Sequence, residues 1–217
     1  MFYKDSENIY RVRPLEALEW LVHGFGTRWS KSFGSCGNLA TLHQIHSATI
    51  IDAEGRSGSL GEGDALIEDT PGSLVAVKTA DCIPVIIVDA RNRAVAAVHA
   101  GWRGTVQEIT LQAIAEMEKK FSSRAEDLHV AIGPGIGECC YDVGSEVASQ
   151  FRKYMGDSAH PNRLALAKIN ATQAARAGVN SAQIYVANLC TKCNEDFHSY
   201  RRDKEHAGRM LSVVGIR

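Results

Sequence analysis

The sequence predicts an α+β fold in which antiparallel strands form layers and helices pack outside them. Three observations carry this expectation. Runs rich in β-branched residues follow one another without a regular strand–helix–strand rhythm. Two of those runs, 83–89 and 94–99, lie either side of the polar Arg91-Asn92-Arg93 and read as a hairpin. The stretch with helical spacing, 105–121, comes after that hairpin instead of linking parallel strands. At 217 residues the chain suits one large domain or two tight ones and can bury a full core.

Taken in order, strands are predicted over 73–78, 83–89, 94–99, 128–132 and 183–186. The helix predicted over 105–121 carries Val106, Ile109, Ile114 and Met117 on one face. Thr105 is its candidate N-cap, and Lys119-Lys120 near its end suit the helix dipole. Two more helices are predicted over about 143–154 and 168–177, the second closed by Gly178.

The balance of 24 basic and 25 acidic residues, interspersed, argues against a nucleic-acid footprint or a polybasic membrane face. No apolar run approaches the roughly 20 residues needed to cross a bilayer, and the polar start Met1-Phe-Tyr-Lys-Asp-Ser-Glu-Asn8 does not read as a secretory signal. A cytoplasmic protein is expected. Its six cysteines, Cys36, Cys82, Cys139, Cys140, Cys190 and Cys193, are unevenly spaced and are expected to be reduced.

The hairpin carries the chemistry. Folding the chain back around Arg91-Asn92 sets Pro84 opposite His99, which brings Cys82 within a residue or two of that histidine. A thiol and an imidazole so placed are either a nucleophile–base pair or two ligands of a metal; alone, a buried cysteine is more often a small hydrophobe. After His99, Gly101-Trp-Arg-Gly104 suggests close backbone approach to a ligand, with Arg103 available for an anion. A third partner comes from Leu42-His-Gln-Ile-His-Ser47, where spacing alone does not choose between His43 and His46.

Cys190-Thr-Lys-Cys193 stands as a CxxC without a second pair and is read as structural, binding no metal and forming no obligatory disulfide. Gly133-Pro-Gly-Ile-Gly137 fits neither a dinucleotide fingerprint nor a P-loop and serves equally as a tight turn or a ligand wrap. Near the end, Tyr200-Arg201-Arg202 and Gly208-Arg209 form either a solvated face or an anion clamp.

Read together, Gln44-Ile-His46, Gly63-Asp64-Ala65, Thr79-Ala-Asp-Cys-Ile-Pro84, His99-Ala-Gly-Trp-Arg-Gly104, Ile132-Gly-Pro-Gly-Ile-Gly137, Cys140-Tyr141, Cys190-Thr191, Ser199-Tyr-Arg-Arg202 and Gly208-Arg-Met210 resemble the YfiH family. That family was formerly described as multicopper polyphenol oxidoreductases, and the resemblance spans the chain from about His23 onward. It implies a single domain over 1–217, folded as a layered α/β sandwich of mixed sheets related to bacterial toxin deamidase domains. It implies zinc held by His46, Cys82 and His99, with His46 and not His43 as the matching histidine; copper is possible in the same ligands. It further implies phosphorolysis of adenosine, inosine, guanosine and methylthioadenosine to base and sugar 1-phosphate, together with deamination of adenosine. The expected partners are therefore a purine nucleoside and phosphate, with no nucleic acid or membrane.

Within that reading, Asp64 and Asp81 are candidate proton carriers beside the metal ligands, and Gln44, Arg28, Arg103, Arg201 and Arg202 are candidate substrate contacts. The alternatives are a copper-dependent, laccase-like phenol oxidase, a Cys–His amide hydrolase that edits peptidoglycan precursors, and a non-catalytic binding module. A multicopper site needs clustered histidines, whereas the eight here are scattered. The chain departs from the family pattern in two places. Asn38-Leu-Ala-Thr41 runs almost directly into His43-Gln44, where the family has some tens of helical residues, and Cys193 has no counterpart in the pattern.

Overall fold

The computed structural model describes residues 1–30, 38–155, 160 and 162–217; Cys36 lies outside them. In chain order the strands are β1 (Phe2–Lys4), β2 (Ile9–Val12), β3 (Leu21–Gly26), β4 (Asn38–His43), β5 (Ile50–Asp52), β6 (Gly58–Glu62) and β7 (Ala65–Glu68). They continue as β8 (Ser73–Thr79), β9 (Ile83–Asp89), β10 (Ala94–Ala100), β11 (Leu128–Ile132), β12 (Ile184–Val186) and β13 (Met210–Ile216). One sheet has the order β1-β2-β3-β13-β8-β4-β6 and the other β12-β11-β9-β10-β7-β5. Both are mixed: β4 runs parallel to β6 and β8, and β11 parallel to β12, amid antiparallel neighbours.

The central hairpin is apolar at nearly every position because both of its faces are covered. Ile83, Val85 and Ile87 of β9, with Ala96 and Val98 of β10, pack towards the helices. The alternate residues Ile86, Val88, Val95 and Ala97 pack against Phe25, Val75, Val77 and Val214 of the other sheet. Each fully buried aliphatic side chain of this kind contributes roughly 1.5–3 kcal/mol relative to exposure. The result is a layer of helices on one sheet and that sheet on a second, the layered mixed sandwich that was expected.

The register predicted for the hairpin is found, with His99 opposite Pro84 and Ala94 opposite Asp89. Asp89 closes the turn by accepting hydrogen bonds from the Arg91 and Asn92 amides at 2.9 Å, and Arg93 takes a φ of 54°.

The helices differ from expectation at two places. In place of one helix over 105–121, the chain forms α1 (Trp102–Val106) and α2 (Ile109–Phe121), broken at Glu108 with φ 60°. Thr105 is therefore no N-cap. It is buried inside α1, its hydroxyl accepting from Asn170 and its carbonyl from Gln173. The break is fastened from outside, where the Glu108 carboxylate takes up Lys153, Tyr154 and Arg176 at 2.6–2.8 Å. The span 143–154 is likewise divided, into α3 (Ser145–Ser149) and α4 (Arg152–Met155). α5 (Leu166–Arg176) ends as predicted, with Gly178 at φ 97° just beyond it, and a short α6 (Tyr200–Asp203) precedes β13. β4 runs unbroken through Thr41 and Leu42 into His43, so the helical stretch of the family pattern is absent from this path.

Candidate active site

Three neighbouring chain segments deliver the site. Cys82 stands one residue before β9 and His99 one residue before the end of β10, so the hairpin register alone sets them side by side. Asp64 precedes β7, whose pairing with β10 places Ala65 opposite Val98. His46 enters from the segment after β4 with φ 60°. Nitrogen atoms of His46 and His99 and the Cys82 sulfur all lie within 4.8 Å of one another. The two imidazoles meet edge to face, with centroids 4.9 Å apart.

Asp64 organises this group from below. Fully buried, it accepts a hydrogen bond from His99 Nδ1 at 2.7 Å and from the His46 amide at 3.0 Å through Oδ1. Its Oδ2 accepts from the Ser47 amide at 2.6 Å and the Ser47 hydroxyl at 2.7 Å. Burial pushes the Asp64 pKa up, but the bonds from His99 and Ser47 outweigh it and hold the carboxyl near pKa 2. With Nδ1 committed to Asp64, His99 presents Nε2 to the cluster. Burial lowers the His99 pKa, yet Asp64 and Cys82 override it and raise the value to about 9. For Cys82 burial raises the pKa, and the bonds to His46 and His99 overcome that and bring it down to about 6. The thiolate, which is the form that ligates or attacks, is thus the favoured state near neutral pH.

One thiolate and two imidazoles form a donor set suited to zinc, whose bonds to sulfur and nitrogen are about 2.3 and 2.0–2.1 Å. An Asp–His–metal arrangement is also how zinc sites orient their histidines. The backbone is shaped to the same centre. A Cβ placed on Gly101 would lie 2.9 Å from His46 Nδ1 and 3.2 Å from the Cys82 sulfur, so only glycine lets the turn after His99 close over the cluster. The residues present fit the metal.

All three side chains open into a pocket of about 550 Å³, a size typical of small-molecule sites. Lys78, Arg201 and Arg209 supply positive charge to its wall, while Ile136, Tyr141 and Tyr200 supply apolar and aromatic surface. Burial and the charge of Cys82 push the Tyr141 hydroxyl up to about 12, which keeps it protonated.

The remaining sequence-derived candidates divide. Arg201 lines the pocket, stacked 5.3 Å over the Tyr141 ring. Gln44 also lines it, but its amide is paired both ways with the Lys78 backbone at 2.8 Å, so it acts as a strand-edge clamp. Asp81 lines the pocket with both carboxylate oxygens engaged, by the Thr191 hydroxyl and the Arg201 amide, each at 2.6 Å. Asp64 does not line the pocket at all. Both carboxylates are thus held by hydrogen bonds beside the cluster. Arg202 does not line the pocket; it donates to the carbonyls of Thr191, Lys192 and Phe197 and to both oxygens of Asp203. Arg28 lies outside the pocket, 3.9 Å from Asp203, and Arg103 folds over Trp102 at 4.5 Å.

Lys78 was missed by the sequence reading, although its signal was present. It is the one exposed residue in the otherwise buried β8, immediately before Thr79-Ala-Asp-Cys82. The CxxC also needs correction, because it is not without a second pair. Cys139 and Cys140 face Cys190 and Cys193, and the four sulfurs lie within 4.8 Å of one another.

Comparisons with known proteins place the chain in a family. The family model described as multi-copper polyphenol oxidoreductase laccase matches residues 25–217. A purine nucleoside phosphorylase of Clostridium acetobutylicum is 37% identical over 190 residues, covering 85% of this chain and 79% of that protein. The chain belongs to the YfiH family. An adenosine deaminase from an unknown prokaryotic organism is another relative, 32% identical over 196 residues, covering 82% of this chain and 74% of its own. The crystal structure of YlmD from Geobacillus stearothermophilus superposes with a TM-score of 0.88 at 27% identity, over 100% of this chain and 98% of that one. The fold of the YfiH-family chain is thus the family's mixed, two-sheet α/β architecture with few helices. Among the described residues no helix is long and apolar enough to cross a membrane.

Proposed function

We propose that this YfiH-family chain is a zinc-dependent purine nucleoside phosphorylase, cleaving adenosine, inosine, guanosine and methylthioadenosine to base and sugar 1-phosphate, with adenosine deaminase activity at the same centre. One observation carries the reading: a Cys–His–His group forms the floor of a nucleoside-sized pocket whose wall bears three cations. His46, Cys82 and His99 would hold the metal, and when bound it would supply Lewis-acid polarisation of a substrate oxygen or water. The residues around it do the rest. Lys78, Arg201 and Arg209 are placed to bind phosphate and the charge it brings to C1′. Tyr141, Tyr200 and Ile136 offer flat surface to a purine. Asp64 fixes the His99 tautomer, and Asp81 fixes the segment that carries Arg201.

Among the described residues the pocket wall holds no carboxylate besides Asp81, whose oxygens are both engaged. This favours phosphorolysis over deamination as the main activity, since deamination needs a proton carrier at the base. Among the described residues one Cys–His–His group and one group made only of cysteines also disfavour a multicopper oxidase, although copper competes well for the same three ligands.

A second reading is supported by the Cys82–His99–Asp64 alignment, which has the order of a nucleophile, base and orienting acid. It describes a metal-free amide hydrolase, such as one that edits peptidoglycan precursors. Metal analysis of untagged protein, combined with turnover of inosine with phosphate and of adenosine without it, separates the readings. Zinc with phosphate-dependent release of hypoxanthine supports the proposal; metal-free protein that Cys82 alkylation inactivates supports the hydrolase.

A further inference from the structure

Cys139, Cys140, Cys190 and Cys193 come together outside the pocket, on two loops rather than on strands. The Gly133–Tyr141 loop and the segment after β12 are joined side by side. The Gly135 amide donates to the Leu189 carbonyl at 3.2 Å and the Thr191 amide to the Gly135 carbonyl at 3.0 Å. A turn closed by the Cys140 amide on the Gly137 carbonyl, at 2.9 Å, lets the two adjacent cysteines reach one point. Cys140 and Cys193 sulfurs are 3.3 Å apart, and Cys139 and Cys193 sulfurs 3.8 Å apart.

We propose that these four cysteines form a second, structural zinc site that ties the loop bearing Ile136 and Tyr141 to the segment after β12. Four thiolates around zinc at about 2.3 Å stand about 3.8 Å apart in a tetrahedron, and the sulfur separations here already approach that spacing. All-sulfur, tetrahedral sets select zinc or iron over harder ions, and four protein ligands leave no open position, which marks a structural site and not a catalytic one.

The surroundings of the sulfurs point the same way. The Cys190 sulfur accepts hydrogen bonds from the Gly137 amide at 3.3 Å and from the Cys193 amide, as a metal thiolate in a CxxC turn requires to offset its charge. A Cβ at Gly137 would stand 3.1 Å from Cys190 Cβ and 3.2 Å from the Cys139 sulfur, so the absence of a side chain lets the two loops approach closely. The Arg202 guanidinium, paired with Asp203, donates to the carbonyls of Thr191 and Lys192 and so fixes the backbone of the CxxC turn.

The zinc would steady one loop that lines the pocket and one that supports it from behind. Ile136 and Tyr141 come from one loop, and Thr191 from the other positions Asp81 and through it Arg201. Thiol protons leave to solvent as the metal binds, so no redox partner is involved.

The test uses the full chain, purified without a metal-affinity tag and under reductant, with zinc and iron counted by mass spectrometry. Wild type is expected to carry two zinc ions per chain, and Cys82→Ala and Cys193→Ser one each. Cobalt exchange into Cys82→Ala should give an intense sulfur-to-cobalt charge-transfer band; this measurement leaves the cluster intact and stands even if Cys193→Ser fails to fold. A Cys82→Ala protein with no zinc and no such band, with iron in place of zinc, or with a Cys140–Cys193 disulfide under reductant overturns the proposal.

Discussion

The two sulfur-bearing clusters differ in how they are supported, and the difference separates a site built to react from one built to hold. His99 lies in β10, Cys82 just before β9 and His46 on the segment after β4, and a buried carboxylate reaches two of them directly. They provide three donors and face a pocket. The four cysteines stand on loops, are partly exposed, provide four donors, and are supported by backbone amides. A reacting centre needs its ligands fixed while one position stays open; a staple needs closure and tolerates exposure.

The largest expected effect lies at the first cluster. Cys82→Ala and His99→Ala should lower phosphorolysis and deamination together by about 10³-fold or more, because Lewis-acid stabilisation is worth several kcal/mol. Steady-state assays with inosine and phosphate, beside adenosine alone, measure both. Circular dichroism should show the fold retained, since the strands around these residues are held by β9 and β10 packing. Full activity in Cys82→Ala would falsify the metal mechanism.

Asp64→Asn is expected to cost less, about 10–100-fold in zinc affinity or activity, the usual effect of removing a carboxylate behind a metal-binding histidine. Equilibrium dialysis against a zinc chelator reads it directly. Unchanged affinity would show that His99 is held by packing alone, and the contrast between a carboxylate-supported and an amide-supported cluster would lose its physical basis.

A smaller and more selective effect is expected at the pocket wall. Arg201→Ala should lower phosphate-dependent cleavage about tenfold or somewhat more, the worth of one hydrogen bond to a charged group, while deamination falls less because it uses no phosphate. Equal loss in both assays would mean that Arg201 acts through its stacking on Tyr141 and not as an anion ligand.

How much of this was legible in the sequence follows from the range of the interactions. The hairpin register was legible because its apolar pattern is local and both faces must be buried; it placed Cys82 beside His99 directly. The break at Glu108 was not, since it depends on Lys153, Tyr154 and Arg176, at least 45 positions along the chain. The four-cysteine cluster was hidden for the same reason: Cys140 and Cys193 are 53 residues apart, and a CxxC by itself does not name its second pair. Arg201 and Arg202 are neighbours of identical type. Only the fold shows that one faces the pocket while the other spends its donors on carbonyls and Asp203.

The smallest effect on either cluster should come from His23, which lies in β3, in the other sheet, and touches neither. Its pKa is lowered from 6.5 to about 4, first by burial and then by the nearby Arg11 charge, and its Nε2 accepts a hydrogen bond from the Val12 amide at 3.0 Å. The neutral ring is therefore the folded form. Between pH 6.5 and about 4 the unfolded chain binds a proton that the folded chain refuses, so stability is full above 6.5 and falls as the pH drops. Two and a half pKa units correspond to roughly 3 kcal/mol in total, of which about 2 kcal/mol should be lost between pH 7 and 5. His23→Gln keeps an acceptor for Val12 without titrating. Its urea midpoint should drop less than that of wild type over the same interval, with turnover at pH 7 unchanged. Acid also releases zinc by protonating thiolates, so this variant provides the background on which the two clusters can be compared: any metal lost from it at pH 5 is lost by the ligands and not by an unfolding scaffold. A wild-type midpoint that does not move between pH 7 and 5 would show that His23 takes up its proton in the folded chain.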